Sequence, residues 1–172
     1  MKKTNDITQE KLADVFKAER AHLLRYACYR LGNEDDAKDV LQDTFLKLHT
    51  RIADTDDLQI NNLRSYIFRT LTNICAKWQT LTNRVKTIQL DKRMDVVETS
   101  DHENEADYRR IVHLLTEIPD EQAEVIRLRI YGDNSFAEVA EILSLPLPTV
   151  KSRFLYGLEK LRKGMKKTIN ND

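Results

Sequence analysis

The sequence is poor in the residues that break helices and turn hairpins. It contains only 4 glycines and 3 prolines among 172 residues, about 4% of the chain against a usual share of roughly 12%. No glycine lies between Gly32 and Gly132, and no proline precedes Pro119. Because tight β-hairpins need such residues at their turns, this scarcity argues against turn-dense all-β folds and predicts a helical protein.

Cysteines and long apolar runs are also scarce. Cys28 and Cys75 lie in apolar helical contexts, and neither has a Cys or His neighbour at a metal-ligand spacing. We therefore expect reduced core cysteines, with no disulfide scaffold, no metal site and no cofactor. The first ten residues are polar, and no run approaches the roughly 18 apolar residues of a membrane span. The expected location is the cytoplasm, without membrane insertion.

The charges balance over the whole chain but not along it. There are 28 basic and 28 acidic residues. Residues 63–93 and residues 149–168 each contain seven basic residues and one acid, whereas residues 91–107 contain seven acids and two bases. Two basic blocks separated by an acidic segment predict two surfaces that bind a polyanion. The acidic segment between them is predicted to be a solvated linker.

Apolar residues recur at helical spacing along most of the chain. Gly32 is placed to end the first helix in a left-handed cap, and Asn33 is placed to cap the second. The predicted helices cover residues 9–31, 33–50, 63–78, 108–117, 121–131, 135–144 and a final stretch from Pro148. The predicted fold class is all-α, with two small helical domains, 1–90 and 108–172. An acidic linker, 91–107, joins them. We expect it to be flexible, because it has too few apolar groups to fold.

The last two predicted helices form a helix-turn-helix pattern. Ser135 lies three residues before Glu138, the spacing of a capping box, and the turn 145–148 leads into a longer basic helix. On charge alone, a solvated surface would explain that helix equally well. The capping box and the turn favour a helix that enters the major groove. At 100° per residue, the outward face carries Ser152, Leu155, Tyr156 and Glu159, with Lys151 and Arg153 on its flanks. The candidate base contacts are Lys151, Ser152, Leu155 and Tyr156, and the candidate phosphate contacts are Arg153 and Lys160.

The basic helix over residues 63–78 is open to two interpretations. Tyr66, Phe68 and Trp78 follow helical spacing, which is typical of a core. Basic residues interleave with these aromatics (Arg64, Arg69, Lys77, Arg84 and Lys86). That composition suits a surface that stacks unpaired bases and neutralises their backbone. The two interpretations are nearly equal on the residues alone.

Three segments in one order resemble the motifs of extracytoplasmic-function sigma factors, a group of the sigma-70 family. Residues 32–48 resemble the polymerase-binding helix of that group, residues 63–73 its promoter-melting helix, and residues 149–153 the start of its −35 recognition helix. Each motif alone would be weak evidence. The resemblance covers nearly the whole chain, and the shared order makes it strong.

The resemblance implies a non-enzymatic factor that binds core RNA polymerase and recognises the −10 and −35 elements of promoter DNA. Its polymerase partners would be the clamp helices of the largest subunit and the flap of the second-largest subunit, and an anti-sigma factor would be a further partner. The implied polymerase contacts are Asp39, Gln42, Phe45 and Lys47. The implied −10 contacts are Arg64, Arg69, Asn73, Lys77 and Trp78, and Thr149 joins the −35 residues named above. Asn73 would read an extruded base, since an amide both donates and accepts hydrogen bonds.

Four departures from the family pattern are visible in the sequence. Tyr66 stands where the family has Trp, and Lys77 stands where it has Asp. Ser144 and Pro148 replace the glycines of the turn. Tyr156 stands where relatives often carry Arg, and a phenol cannot form the two-pronged contact that Arg makes with guanine, so we expect an altered −35 preference.

Two other functions fit parts of the sequence. An autonomous helix-turn-helix regulator would use the amino-terminal bundle for dimerisation or ligand binding and would bind a palindromic duplex without polymerase. A helical enzyme could use Glu34, Asp35 and Asp36 as acids. That second alternative is disfavoured, because those carboxylates begin a helix, where the helix dipole explains them, and have no catalytic partner at a suitable spacing.

Overall fold

The computed structural model describes residues 9–55, 58–88 and 102–170. Within these ranges the chain forms seven α-helices and one π-helical turn, with no strand. The elements are α1 (Gln9–Leu31), α2 (Glu34–Asp54), α3 (Leu63–Ile88), α4 (His102–Glu117), α5 (Asp120–Ile126), the π-helical turn Arg127–Tyr131, α6 (Phe136–Leu143) and α7 (Leu147–Asn170). The predicted all-α class is confirmed.

Helices α1, α2 and α3 form the first bundle. Their apolar faces meet at its centre, where Phe16 of α1 packs edge-on against Phe45 of α2 with ring centroids 5.1 Å apart. Gly32 has a φ of 74°, a left-handed conformation that glycine adopts without strain. The Asn33 side chain accepts a hydrogen bond from the Asp36 amide at 3.0 Å. Both predicted caps between α1 and α2 are thus confirmed.

Helices α4 to α7 form the second bundle, which contains the helix-turn-helix. The Ser135 hydroxyl accepts from the Glu138 amide at 3.1 Å, and the Ser135 amide donates to the Glu138 carboxylate at 2.9 Å. This is the predicted capping box. Helix α6 ends at Leu143, and Ser144, with a φ of 54°, turns the chain toward α7. The core of this bundle comprises Leu115, Ile118, Ala123, Ile126 and Tyr131.

Several predicted boundaries differ from the structure. Helix α2, predicted to end at Thr50, runs to Asp54. Helix α3 runs past Trp78 to Ile88. Helix α4 begins at His102, so residues 102–107, which the sequence prediction assigns to the linker, are helical; the rest of the predicted linker lies outside the described residues. The predicted helix 121–131 changes to π hydrogen bonding, and the Gly132 amide donates to the Arg127 carbonyl at 2.9 Å. Residues 102–107 contain no large apolar residue, so apolar periodicity gave no signal for the start of α4.

The two bundles pack directly against each other. Phe68 and Leu71 of α3 share one apolar cluster with Val139 and Ile142 of α6. A Cβ atom at Gly132 would lie 3.1 Å from the Phe68 ring, so a glycine at this turn permits the close approach. The sequence predicted two helical units, and the structure adds a common core between them.

A buried ionic cluster crosses the same junction. Glu124 of α5 is 9% exposed and accepts hydrogen bonds from the Tyr26 hydroxyl and from Arg30 of α1. Arg127 Nη1 lies 3.5 Å from the same carboxylate, and Arg30 Nε donates to Gln79 at 2.8 Å. Burial, followed by the charge of Glu124, raises the pKa of Tyr26 well above its usual value. The hydroxyl therefore stays protonated and donates.

Candidate nucleic-acid and polymerase interfaces

The outward face of α7 is open to solvent along its first turns. Leu155 is 66% exposed and Tyr156 is 60% exposed, and Lys151, Ser152 and Lys160 are exposed beside them. The opposite face packs into the protein, as the helical arithmetic predicts (Val150, Phe154, Gly157, Leu158 and Leu161). The second helix of a helix-turn-helix reads base edges with such free residues near its amino terminus.

Thr149 and Arg153 occupy the border of that face. Both are half-buried, and Arg153 Nη2 lies 3.5 Å from the Glu121 carboxylate of α5. Arg153 also lines a cleft of about 520 Å³ at the junction of the two bundles, together with Arg30 and Arg127. Arg153 would have to leave Glu121 before it could neutralise a DNA phosphate.

The predicted −10 residues of α3 divide into two groups. Asn73 is exposed on the helix surface. Arg64 and Arg69 instead contact the second bundle, where Arg64 Nη1 donates to Glu138 at 3.0 Å and Arg69 Nη2 donates to Ser144 at 2.8 Å. The structure thus places two of the predicted DNA-binding cations in intramolecular contacts.

The aromatic residues of α3 differ in burial. Phe68 is fully buried and belongs to the core, whereas Tyr66 and Trp78 are half-buried and pack against that core. Among the described residues, the buried Trp78 Nε1 has no hydrogen-bond partner. Lys77, the residue before it, is exposed. The core interpretation is therefore right for Phe68, and a DNA contact by Trp78 or Lys77 stays a prediction.

A second cleft, of about 320 Å³, lies between α3 and the loop that precedes it. Leu58, Ile60, Asn62, Tyr66 and Arg69 are among the residues that line it. The Ser65 amide donates to the Asn62 side chain at 3.2 Å, so Asn62 caps α3. The sequence prediction treated residues 54–61 as a polar connection and missed this cleft. Two isolated aliphatic residues in a polar loop were the available signal.

The predicted polymerase contacts lie on α2. Asp39, Gln42 and Lys47 are exposed, whereas Phe45 is half-buried and packs against the first core. Leu46 is 53% exposed and lies four residues after Gln42, on the same face of the helix. The sequence prediction missed Leu46, although a leucine outside the apolar stripe of α2 was a visible signal.

The two cysteines are unpaired. Cys75 is fully buried, and burial raises its pKa to about 12; Cys28 is half-buried, with its pKa raised to about 11, mainly by burial. In the part of the chain that the structure describes, no group of His, Cys, Asp or Glu side chains could hold a metal ion. None of the described helices combines the length and apolarity needed to cross a bilayer.

Comparison with protein families gives two matches in chain order. Residues 15–83 match the model described as "Sigma-70 region 2", and residues 114–163 match "Sigma-70, region 4". The first match covers most of the first bundle. The second begins near the end of α4 and ends within α7, so it includes α6, the turn and the first part of α7.

Two relatives from Bacillus subtilis (strain 168) align with most of the chain. The "ECF RNA polymerase sigma factor SigW" is 27% identical over 177 residues, which span 90% of this chain and 87% of the relative. The "RNA polymerase sigma factor YlaC" is 22% identical over 166 residues, which span 93% and 95%.

Two solved structures share the fold. One is CnrH in complex with the cytosolic domain of CnrY, with a TM-score of 0.68, 21% identity and coverage of 93% of this chain and 90% of that chain. The other is the sigma factor RpoE in complex with the anti-sigma factor NepR from Bartonella quintana, with a TM-score of 0.66, 22% identity and coverage of 92% and 96%. The paired regions favour a polymerase-bound factor over an autonomous regulator.

Proposed function

Because this chain belongs to the sigma-70 family, among its extracytoplasmic-function factors, we propose a division of its work between the two bundles. As a sigma factor it binds core RNA polymerase and directs initiation at promoters with −10 and −35 elements. In our proposal the first bundle docks on polymerase and holds the opened −10 strand. The second bundle reads the −35 duplex, and neither bundle catalyses a reaction.

The exposed face of α7 is the observation that carries this proposal. Lys151, Ser152, Leu155 and Tyr156 stand free at the start of the second helix of a helix-turn-helix, backed by a packed apolar face. That arrangement can present four side chains to base edges in a major groove without unfolding any part of the bundle.

Run-off transcription tests the proposal as a whole. Purified chain is added to bacterial core polymerase with fragmented genomic DNA, and the transcript ends are mapped. We expect discrete transcripts that require the chain and share upstream sequence elements. Uniform initiation, or binding of a palindromic duplex by a dimer without polymerase, would contradict the sigma function.

We propose that Asn73 captures a base of the opened −10 strand. Replacing Asn73 with Ala removes an exposed amide that can donate and accept hydrogen bonds. We expect open-complex formation by the holoenzyme to fall about tenfold, which corresponds to roughly 1.4 kcal/mol. Permanganate reactivity of unpaired thymines measures that loss. Affinity for −35 duplex should not change, and an equal fall in both assays would argue against a −10 role.

We propose that the exposed face of α2 is the docking surface for the clamp helices of the largest polymerase subunit. Asp39, Gln42 and Lys47 supply polar contacts, and Leu46 adds an apolar contact beside them. An interface usually combines a few buried apolar anchors with a polar rim.

Replacing Asp39 and Leu46 with Ala should weaken core binding about tenfold, because one charged contact and one apolar anchor are lost. Fluorescence anisotropy with labelled chain measures this affinity. The matched control is Asp14→Ala, which removes the same acidic charge from an exposed site on a different helix, α1. Wild-type affinity in the double variant, or an equal loss in the control, would place the docking surface elsewhere.

Further partners follow from the same proposal. The two similar solved structures are complexes of CnrH with the cytosolic domain of CnrY and of RpoE with the anti-sigma factor NepR, which supports an inhibitory protein as a partner of this chain. The second bundle would contact the flap of the second-largest polymerase subunit. We expect the protein to act in the cytoplasm, where promoter DNA and polymerase meet.

A further inference from the structure

Two large apolar side chains stand side by side on the outward face of α7. Leu155 is 66% exposed, the highest fraction among the large apolar side chains of the described residues, and Tyr156 is 60% exposed. At 100° per residue, both lie within about 60° of Ser152, at the centre of that face. Because contact between apolar surface and water is unfavourable, a partner that covers the pair gains free energy.

The opposite face of α7 holds the backbone of this pair in place. The two exposed residues lie between Phe154 and Gly157. Phe154 packs edge-on against Phe136 of α6, with ring centroids 5.1 Å apart. A Cβ atom at Gly157 would lie 2.7 Å from Cδ1 of Ile126, so α7 packs closely against α5. A backbone fixed on both sides presents the pair to a ligand at little cost in conformational entropy.

The arginines of α7 are poorly placed to read guanine at the centre of this face. Arginine binds both hydrogen-bond acceptors of guanine in the major groove. Arg153 Nη2 lies 3.5 Å from the Glu121 carboxylate. Arg162 follows Leu155 by seven residues, about 10 Å farther along the helix. The centre of the outward face therefore offers apolar surface to the bases.

We propose that Leu155 and Tyr156 read thymine methyl groups in the −35 duplex. This inference rests on the proposed role of α7 in reading that duplex. In the major groove only thymine presents an apolar group, its C5-methyl, beside the donors and acceptors of the other base edges. The leucine side chain has no polar atom. Against any other base edge it would remove water from a donor or an acceptor without replacing the lost hydrogen bond.

The proposal gives the altered −35 preference a direction and a size. The apolar pair selects thymine at two positions of the duplex. Lys151 and Ser152, at the start of α7, supply hydrogen bonds to neighbouring bases. Burial of one methyl-sized group corresponds to about a fourfold gain in affinity, so two thymine methyls together contribute about sixteenfold.

Selection from a DNA library identifies the preferred duplex. The probe is a set of short duplexes with a randomised central window, bound by holoenzyme made from core polymerase and the full-length chain. Duplexes that bind core polymerase alone are removed first. We expect the enriched window to contain thymine at two fixed positions, and Leu155→Ala with Tyr156→Ala should lose this enrichment. An enriched window without fixed thymines would overturn the proposal.

Uracil substitution then isolates the contribution of the methyl groups. Uracil pairs as thymine does but lacks the C5-methyl. Replacing both selected thymines with deoxyuridine should weaken binding by wild-type holoenzyme about sixteenfold, as measured by fluorescence anisotropy of labelled duplex. The alanine double variant should bind both duplexes equally. Deoxyuridine outside the selected window should leave wild-type affinity unchanged. Equal binding of the two duplexes by wild type contradicts methyl reading.

Three further variants test which chemical group acts. Tyr156→Phe keeps the ring and should keep the preference for thymine over uracil. Tyr156→Arg should exchange one selected thymine for guanine, since arginine binds both guanine acceptors. The matched control is Met165→Ala with Ile169→Ala, an apolar pair farther along α7 that is 41% and 64% exposed, and it should keep full discrimination. Loss of discrimination in the control or in Tyr156→Phe, or an unchanged selection by Tyr156→Arg, would overturn the proposal.

The outcomes separate this inference from the proposed function. If deoxyuridine has no effect while Lys151→Ala with Lys160→Ala still weakens duplex binding, methyl reading is wrong and the −35 role of α7 stands. If the selection enriches no sequence and the lysine variant binds duplex as wild type does, the −35 role of α7 fails and the inference fails with it.

Discussion

Replacing Glu124 with Ala is expected to lower the free energy of unfolding by about 3 kcal/mol, because it leaves buried charge without a partner. The Glu124 carboxylate receives hydrogen bonds from Tyr26 and Arg30 of the first bundle and lies near Arg127 of the second. Removing it leaves the Arg127 guanidinium, 6% exposed, and the Tyr26 hydroxyl without their acceptor. Urea denaturation followed by circular dichroism measures the loss.

The matched control for this prediction lies on the same helix. Glu121 has a side chain that is 72% exposed and pairs only loosely with Arg153, at 3.5 Å. Glu121→Ala should change the free energy of unfolding by less than about 1 kcal/mol, since exposed ion pairs contribute little. Similar losses in the two variants would mean that the cluster around Glu124 does not join the bundles.

Replacing Lys151 and Lys160 with Ala should weaken binding to −35 duplex about a hundredfold, because each charge-assisted contact to DNA contributes roughly 1.4 kcal/mol. Both lysines are exposed on the outward face of α7. The slope of log affinity against log salt should fall by about 0.9 for each lost phosphate contact. Titration of labelled duplex at several salt concentrations measures both quantities.

Two further variants sharpen this prediction. Lys17→Ala with Lys38→Ala removes the same charge from exposed sites on α1 and α2 and should leave duplex affinity nearly unchanged. Arg153→Ala should have a smaller effect than Lys151→Ala, because Arg153 is half-buried beside Glu121. If the Lys17→Ala/Lys38→Ala variant loses as much affinity as the Lys151→Ala/Lys160→Ala variant, general electrostatic attraction explains binding, and α7 is not the reading helix. Equal losses for Arg153→Ala and Lys151→Ala would support the same conclusion.

Local signals account for the parts of the fold that the sequence predicted. Gly32, Asn33 and the Ser135–Glu138 capping box act within a few residues of themselves, so their caps were predictable without knowledge of the tertiary structure. The two faces of α7 likewise follow from helical period alone. The sequence prediction missed the extension of α3 to Ile88, although Leu81, Val85 and Ile88 continue its helical spacing. It also missed the start of α4, because residues 102–107 contain no large apolar residue.

The candidate site also combines features that local spacing predicted with contacts that depend on the tertiary structure. Spacing placed Lys151, Ser152 and Tyr156 on an exposed face, and the structure confirms that exposure. The hydrogen bonds of the Arg64 side chain were not predictable, because its partners Asn134 and Glu138 lie 70 and 74 residues away in sequence. A charge pattern reports how many cations a helix has, but it does not report which carboxylates reach them.

The sequence by itself determined most of the helices and their caps, since periodicity and short motifs are properties of neighbouring residues. Only the tertiary structure decided that the two bundles close on each other, with Glu124 buried between them and α6 lying over α3. Those contacts depend on shape and charge brought together from distant parts of the chain, which no local pattern encodes.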